Sequence, residues 1–166
     1  KNQIDKDLPE VSLAATLHYD DGTQKTVLGE SYETTNPYTF DFVAHTFETD
    51  VDASDITFEQ HANFISATFS VGTNFSRVTF SGDANFSRAT FSGFVDFSSV
   101  TFSGSADFIS ATFTGYADFS SATFTGDADF ISATFTGKAD FSSATFTGDA
   151  DFSSATFTGD ADFISA

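Results

Sequence analysis

The sequence predicts an all-β solenoid with a phenylalanine core and a β-hairpin at its N-terminal end. Three observations carry this. Phe supplies 24 of 166 residues while Trp and Met are absent. An eleven-residue unit recurs through the C-terminal half, and small, polar, aromatic and polar residues alternate around almost every Phe. A generic core mixes Leu, Ile, Val and Phe to fill an irregular volume. One residue type used this often implies one environment built many times.

Residues 1–39 stand outside the repeat. Val11, Leu13, Ala15, Leu17 and Tyr19 alternate with polar residues, Asp21-Gly22 is a hairpin turn signal, and Thr26, Val27 and Leu28 form the return strand. A solenoid needs its first coil covered, so this segment is expected to be a hairpin cap. A docking segment for another chain is the alternative.

The array occupies residues 40–166. From Ala117 the chain reads ADFSSATFTGD, ADFISATFTGK, ADFSSATFTGD, ADFSSATFTGD, ADFISA, with Phe alternately five and six residues apart. The register runs back from Phe163, Phe157 and Phe152 to Phe47 and Phe42, and Ala53 is the one member that is not Phe. Phe40 or an N-terminal apolar residue is expected to fill the volume Ala53 leaves. Ala-Asp-Phe and Ala-Thr-Phe have the period-two alternation of short strands with Ala and Phe buried. A helix is excluded, because a five/six alternation walks Phe around a 3.6-residue spiral.

Two kinds of corner separate the strands. A compact one follows Ala-Asp-Phe, as at Ser120-Ser121. A longer one carries Gly and one inserted residue, as at Gly126-Asp127, Gly137-Lys138 and Gly148-Asp149. Glycine is expected there because it adopts positive φ without steric cost.

These units resemble the pentapeptide-repeat family, in the variant rich in ATFSG and ADFSG units where every second unit gains a residue. The resemblance covers residues 40–166. It implies a right-handed quadrilateral β-helix with four units, about 22 residues, per coil. Just under six coils would then make a rod about 27 Å long at ~4.8 Å per coil. A thinner solenoid of eleven residues per coil must enclose two Phe and two Ala between two sides, which leaves little room for corners. Each buried Phe contributes roughly 1.5–3 kcal/mol, so the stacked core accounts for stability.

With four units per coil, outward residues fall into columns. One face carries Asn63, Asn85, Asp107, Asp129 and Asp151, and the opposite face Asn74, Asp96, Asp118, Asp140 and Asp162. Carboxylates about 5 Å apart repel by roughly 1 kcal/mol in water. Weak cation association would relieve this, although paired carboxylates fall short of the six to eight oxygens Ca²⁺ takes. A solvated acidic face is expected rather than a metal site. The other faces carry Thr112/Thr114, Thr134/Thr136 and Thr156/Thr158 on one side and Thr123/Thr125 and Thr145/Thr147 on the other. Their spacing resembles the Thr-x-Thr array of insect antifreeze β-solenoids, yet Thr is also an ordinary solvent-facing strand residue. Phe94, Tyr116 and Lys138 share a corner column and form an expected aromatic–cation stack.

Composition narrows the function. With 24 acidic residues against six Lys and Arg, the net charge is −18, which repels nucleic acid and anionic membrane surfaces. No Cys is present, so disulfides, thiolate metal sites and Cys nucleophiles are excluded. No apolar run reaches membrane-spanning length. His18, His45 and His61 share no motif, and no arrangement of catalytic residues or cofactor signature stands out from the repeat, so the expectation is not an enzyme. The chain opens on Lys1 rather than Met, which points to processing and toward a secreted or cell-surface location, with the cytoplasm as alternative.

The expected function is a structural, self-associating rod that forms fibres head to tail. Val11, Leu13, Leu17 and Tyr19 at one end would meet Phe157 and Phe163 at the other, where the repeat stops at Ala166 without a visible cap. The alternatives are an acidic DNA mimic that inhibits DNA gyrase, as some proteins of the resembled family do, and an ice- or mineral-binding surface built on the Thr or Asp columns.

Overall fold

The computed structural model describes residues 39–166 throughout, together with residues 14–18 and 24–28 as strands. Strands β1 (Ala14–His18) and β2 (Gln24–Leu28) pair antiparallel, with Ala14 opposite Leu28 and His18 opposite Gln24. This is the hairpin the alternation predicted. Val11, Leu13, Tyr19 and the Asp21-Gly22 turn lie outside the described residues, as does the side chain of Leu17.

The first coil consists of β3 (Thr39–Asp41), β4 (Thr46–Phe47), β5 (Asp50–Asp52) and β6 (Thr57–Phe58). Each begins a parallel stack that forms one side of the solenoid. The stacks run from β3 to Ala150–Asp151, from β4 to Thr156–Phe157, from β5 to Ala161–Asp162 and from β6 to Thr145–Phe146. Partners in every stack are one full coil apart in sequence, as Thr79 with Thr101 and Ala117 with Ala139. The backbone ladder repeats with them: Phe119 N–H donates to Asp140 O at 2.7 Å, and Thr123 N–H to Val100 O at 2.8 Å. β2 joins β5 in parallel, with Lys25 in register with Asp50. The hairpin therefore lengthens one side of the stack. Among the described residues, β3, β4 and β6 have no strand on their N-terminal edge.

Side-chain alternation explains the core. Ala117 and Phe119 are fully buried while Asp118 between them is half-buried and points outward, and Ala106–Phe108 and Ala128–Phe130 repeat the pattern. The strand spacing of ~4.8 Å then dictates how the rings meet. Phe86, Phe108, Phe130 and Phe152 form one column with centroids 4.7–5.0 Å apart and nearly parallel planes. Across the axis the same rings meet the opposite column edge-on, Phe130 to Phe141 at 5.5 Å and 89°. Phe130 stacks on Phe152, so the coil has four sides rather than two. Offset-stacked and edge-to-face pairs are the two favourable aromatic geometries, each contributing about 0.5–1.5 kcal/mol beyond area burial. A planar ring satisfies both at once, which accounts for the near-exclusive use of Phe.

The corners differ from the sequence-based expectation. Among the described residues, positive φ occurs at the compact corners and not at glycine: Ser66, Ser99, Ser110, Ser121 and Ser132 have φ of 55–58°. Ala122 N–H closes that turn onto Phe119 O at 3.1 Å, a turn of the type II class with the left-handed residue third. Glycine at the longer corner answers a different demand. A Cβ on Gly126 would lie 2.6 Å from both the carbonyl carbon and oxygen of Gly104, one coil earlier. The longer corners stack backbone on backbone, and only hydrogen fits between them.

Two irregularities sit in the early coils. Ala53 is fully buried, and Phe40 takes an inward slot that pairs with Ala62 and brings its ring edge-on to Phe58 at 5.1 Å. Phe40 thus adds an aromatic ring to the first coil beside Phe58. Thr73 occupies an inward slot between Val51 and Val95, is 3% exposed, and its hydroxyl has no partner among the described residues. An unpaired buried hydroxyl costs about 1–3 kcal/mol. Thr73→Val keeps the shape and should stabilise the protein by about 1–2 kcal/mol. Thermal melts should show an increase of about 2–4 °C per kcal/mol; a decrease would mean that the hydroxyl has a role in the fold.

Candidate functional site

No helix among the described residues is long and apolar enough to cross a membrane, and none of their His, Asp or Glu side chains converge in threes as a metal site. The candidates are therefore the regular surfaces.

The Asp columns are in register as expected, with Asp107 beside Asp129 and Asp129 beside Asp151 on one face, and Asp96 beside Asp118 and Asp140 beside Asp162 on the other. All of these except Asp129 also have local work that sequence reasoning missed. Asp118 Oδ1 accepts the Ser120 N–H at 2.9 Å, which fixes the compact corner just before its left-handed residue. Asp96, Asp107, Asp140, Asp151 and Asp162 accept the corresponding N–H at 2.7–3.0 Å. Asn63, Asn74 and Asn85 do the same in the earlier coils at 2.9–3.2 Å. Asn and Asp alternate freely because both supply Oδ1 to this turn. The recurring Asn/Asp two residues before the corner Ser or Ile was the available signal.

Charge accumulates where Asp replaces Asn. Burial, followed by Asp107, Asp151 and Asp127, pushes the Asp129 carboxyl above the usual carboxylate range. A raised folded pKa means that ionisation opposes folding. The penalty is absent in acid and appears as pH rises through the ordinary carboxylate range. Asp129→Asn removes the charge and places here the residue type that Asn63 and Asn85 supply in the same column. It should raise the melting temperature at pH 7 and have no effect near pH 3. An equal effect at both pH values would locate its cause outside the charge.

The Thr columns are likewise in register, Thr112 with Thr134 and Thr156, and Thr123 with Thr145. In four of the five Thr-Phe-Thr units the second Thr turns its hydroxyl back to the preceding coil. Thr114 donates to Ser92 O at 3.0 Å, Thr136 to Thr114 O at 3.3 Å, Thr147 to Thr125 O at 3.3 Å and Thr158 to Phe135 O at 3.4 Å. These protons brace the stack, so the grid is not a uniform field of free hydroxyls.

The corner column forms the stack the sequence suggested. Phe94 and Tyr116 lie 5.3 Å apart and Lys138 Nζ is 5.0 Å from the Tyr116 centroid. The Tyr116 hydroxyl lies 3.2 Å from carboxylate oxygens of both Asp118 and Asp140, while Lys138 donates to Asp140 at 2.9 Å. Burial, then the Asp118 and Asp140 charges, push the Tyr116 hydroxyl up to about 12. Burial also opposes ionisation of Asp140, but hydrogen bonds from Lys138 and Ser142 outweigh it and hold this carboxyl well below the usual range. A depressed folded pKa stabilises above the ordinary carboxylate pKa and is lost as pH falls through the folded value. The stack is a staple at neutral pH.

Each side of the solenoid is one five- or six-residue unit, Ala117–Ser121 followed by Ala122–Asp127. A nine-copy pentapeptide-repeat family model matches residues 46–90, 86–134 and 130–166. The chain belongs to the pentapeptide-repeat family. No curated protein and no solved structure matches it. The matched pentapeptide repeats begin at β4 and continue through the last described coil, so they cover both Asp columns, both Thr columns and the Phe94 corner. Pentapeptide-repeat solenoids are generally non-enzymatic, and the fold of this chain is that of a structural repeat protein.

Of the proposed end contacts, Phe157 is half-buried, Phe163 is 42% exposed and the adjacent Ile164 is 71% exposed.

Proposed function

We propose that this chain is a non-enzymatic, self-associating rod that assembles head to tail into an extracellular or cell-surface fibre. The observation that carries this reading is the self-complementarity of the coil. Near-identical units stack through the same ladder and the same ring contacts at every step, so an open coil face of one copy matches that of another. Among the described residues, β3, β4 and β6 have no strand on their N-terminal side, and Phe163 and Ile164 are exposed in the last described coil. Unpaired strand edges over apolar side chains favour edge-to-edge pairing. A head-to-tail contact that does not close on itself propagates.

Light scattering and electron microscopy of the purified chain test this directly. The expected result is rods that lengthen with protein concentration and with salt, because screening weakens the repulsion between −18 charges. Removing residues 1–39 should abolish the fibres and leave the β-rich spectrum. A monodisperse monomer at all concentrations and salt levels would refute the assembly. Gyrase mimicry and ice or mineral binding rank lower. The Asp columns are anionic mainly in the later coils and serve the corner turns, and alternate Thr hydroxyls are bonded to the backbone. No inhibition of gyrase supercoiling is expected at micromolar protein.

A further inference from the structure

The corner column that holds Phe94, Tyr116 and Lys138 runs from Lys25 through Asp50 and Gly72. At Gly72 the side chain is missing, and the gap is a surface groove of ≈ 270 Å³. Gly72, Thr73, Phe94, Asp50, Asn74 and Asp96 are among the residues that line it. Phe94 rests against Tyr116 on its C-terminal side and remains 45% exposed.

The same column already shows what such a setting holds. Two steps further on, Lys138 lies over the Tyr116 ring with its ammonium on Asp140. Phe94 offers its ring to the groove as Tyr116 does to Lys138, and Asp96 stands to Phe94 as Asp118 does to Tyr116, with Asn74 in the place of Asp140. Asp50 Oδ1 accepts the Gly72 N–H at 3.1 Å and Asp96 Oδ1 accepts the Ser98 N–H at 2.8 Å. The second oxygen of each carboxylate has no hydrogen bond among the described residues. Arg77 feels the Asp96 charge, but its guanidinium is held by Asp55 at 2.6 and 2.8 Å.

We propose that this groove receives one cationic side chain, a lysine or arginine presented by a basic partner protein, held against Phe94 and between Asp50 and Asp96. The net charge of −18 would draw such a partner in. The groove's size admits one side chain rather than a folded element. The exposed ring adds attraction for a cation that an acidic face alone lacks. This inference is independent of end-to-end assembly.

The test is a nuclear magnetic resonance titration of the full chain with three probes: Nα-acetyl-lysine methylamide, Nα-acetyl-arginine methylamide and the neutral Nα-acetyl-norleucine methylamide. Saturable shifts are expected at the Gly72 amide and Phe94 ring for the two cations, with half-saturation at about millimolar concentration, and none for norleucine. Phe94→Ala should weaken binding at least about threefold, as should Asp96→Asn, which keeps the turn acceptor. Gly72→Lys should abolish it by placing an internal ammonium in the groove. That position tolerates a side chain, because Phe, Tyr and Lys fill it in the next three coils. Asp149→Asn, with the same charge change at another corner, should have no effect. Equal binding of norleucine would overturn the proposal. So would cation shifts spread along the Asp columns that survive Phe94→Ala and Asp96→Asn.

Discussion

Replacing Gly126 by alanine should destabilise the protein by about 3 kcal/mol, the upper end of ordinary overpacking. The added Cβ would lie 2.6 Å from the Gly104 carbonyl, which is backbone and cannot rotate aside. Relief requires two coils to separate locally, and that stretches neighbouring ladder bonds such as Ala106 N–H to Asp127 O and Thr125 N–H to Phe102 O, both 2.8 Å. The companion substitution is Ser121→Gly. It removes a side chain from a positive-φ corner, relieving about 1 kcal/mol of left-handed strain while adding about 0.5–1 kcal/mol of unfolded-state entropy. The net change should be close to zero. Chemical denaturation of both variants separates the roles of the two corners. A tolerated Gly126→Ala with a damaging Ser121→Gly would reverse them.

Phe108→Ala should be the most damaging single truncation, at about 3–5 kcal/mol. Phe108 is fully buried, stacked between Phe86 at 5.0 Å and Phe130 at 4.8 Å, and met edge-on by Phe97, Phe102 and Phe119. The cavity cannot collapse, because the strand spacing holds the rings on both sides at their own heights. In a solenoid each coil touches only its neighbours, so the loss interrupts the stack, and the two halves should begin to unfold separately. Phe94→Ala removes the same ring from an exposed corner and should change stability by less than about 1 kcal/mol. Denaturation curves of the two variants check both values. Similar costs would mean that ring stacking along the core is not the main source of stability.

The features legible in the sequence were those set by local periodicity. Alternation around each Phe fixed which face is buried, the five/six spacing marked out the sides of the coil, and the β1–β2 hairpin followed from the residues around Asp21-Gly22. The corners were harder to read. Gly126 looks conformational in sequence, yet its requirement is a steric contact with Gly104, a whole coil earlier in the chain. Ser121 carries the strained φ although nothing in its side chain demands it; the turn is imposed by Asp118 and by closure of the coil. The Asp columns were read as a charged face, whereas Asp118 and its equivalents are first of all turn acceptors. Thr73 was overlooked because its neighbours Val51 and Val95 lie a whole coil away on either side. The groove beside Phe94 exists only because Gly72 falls into a column of larger side chains. Features that depend on what lies one coil away appear once the coil length is known.

Disulfide trapping tests that coil length most directly, in a chain without native cysteine. Ser110 and Ser132 are exposed, share one corner column and lie one coil apart. Coil spacing of ~4.8 Å falls inside the Cα–Cα window for a disulfide. Ser110 and Ser121, eleven residues apart, lie on opposite sides of the core, separated by about 10 Å or more. Under mild oxidation, a Ser110→Cys/Ser132→Cys protein should close an intramolecular disulfide in the folded state, while Ser110→Cys/Ser121→Cys should keep both thiols free. Efficient closure of the second pair without the first would contradict the four-sided coil and the core built upon it.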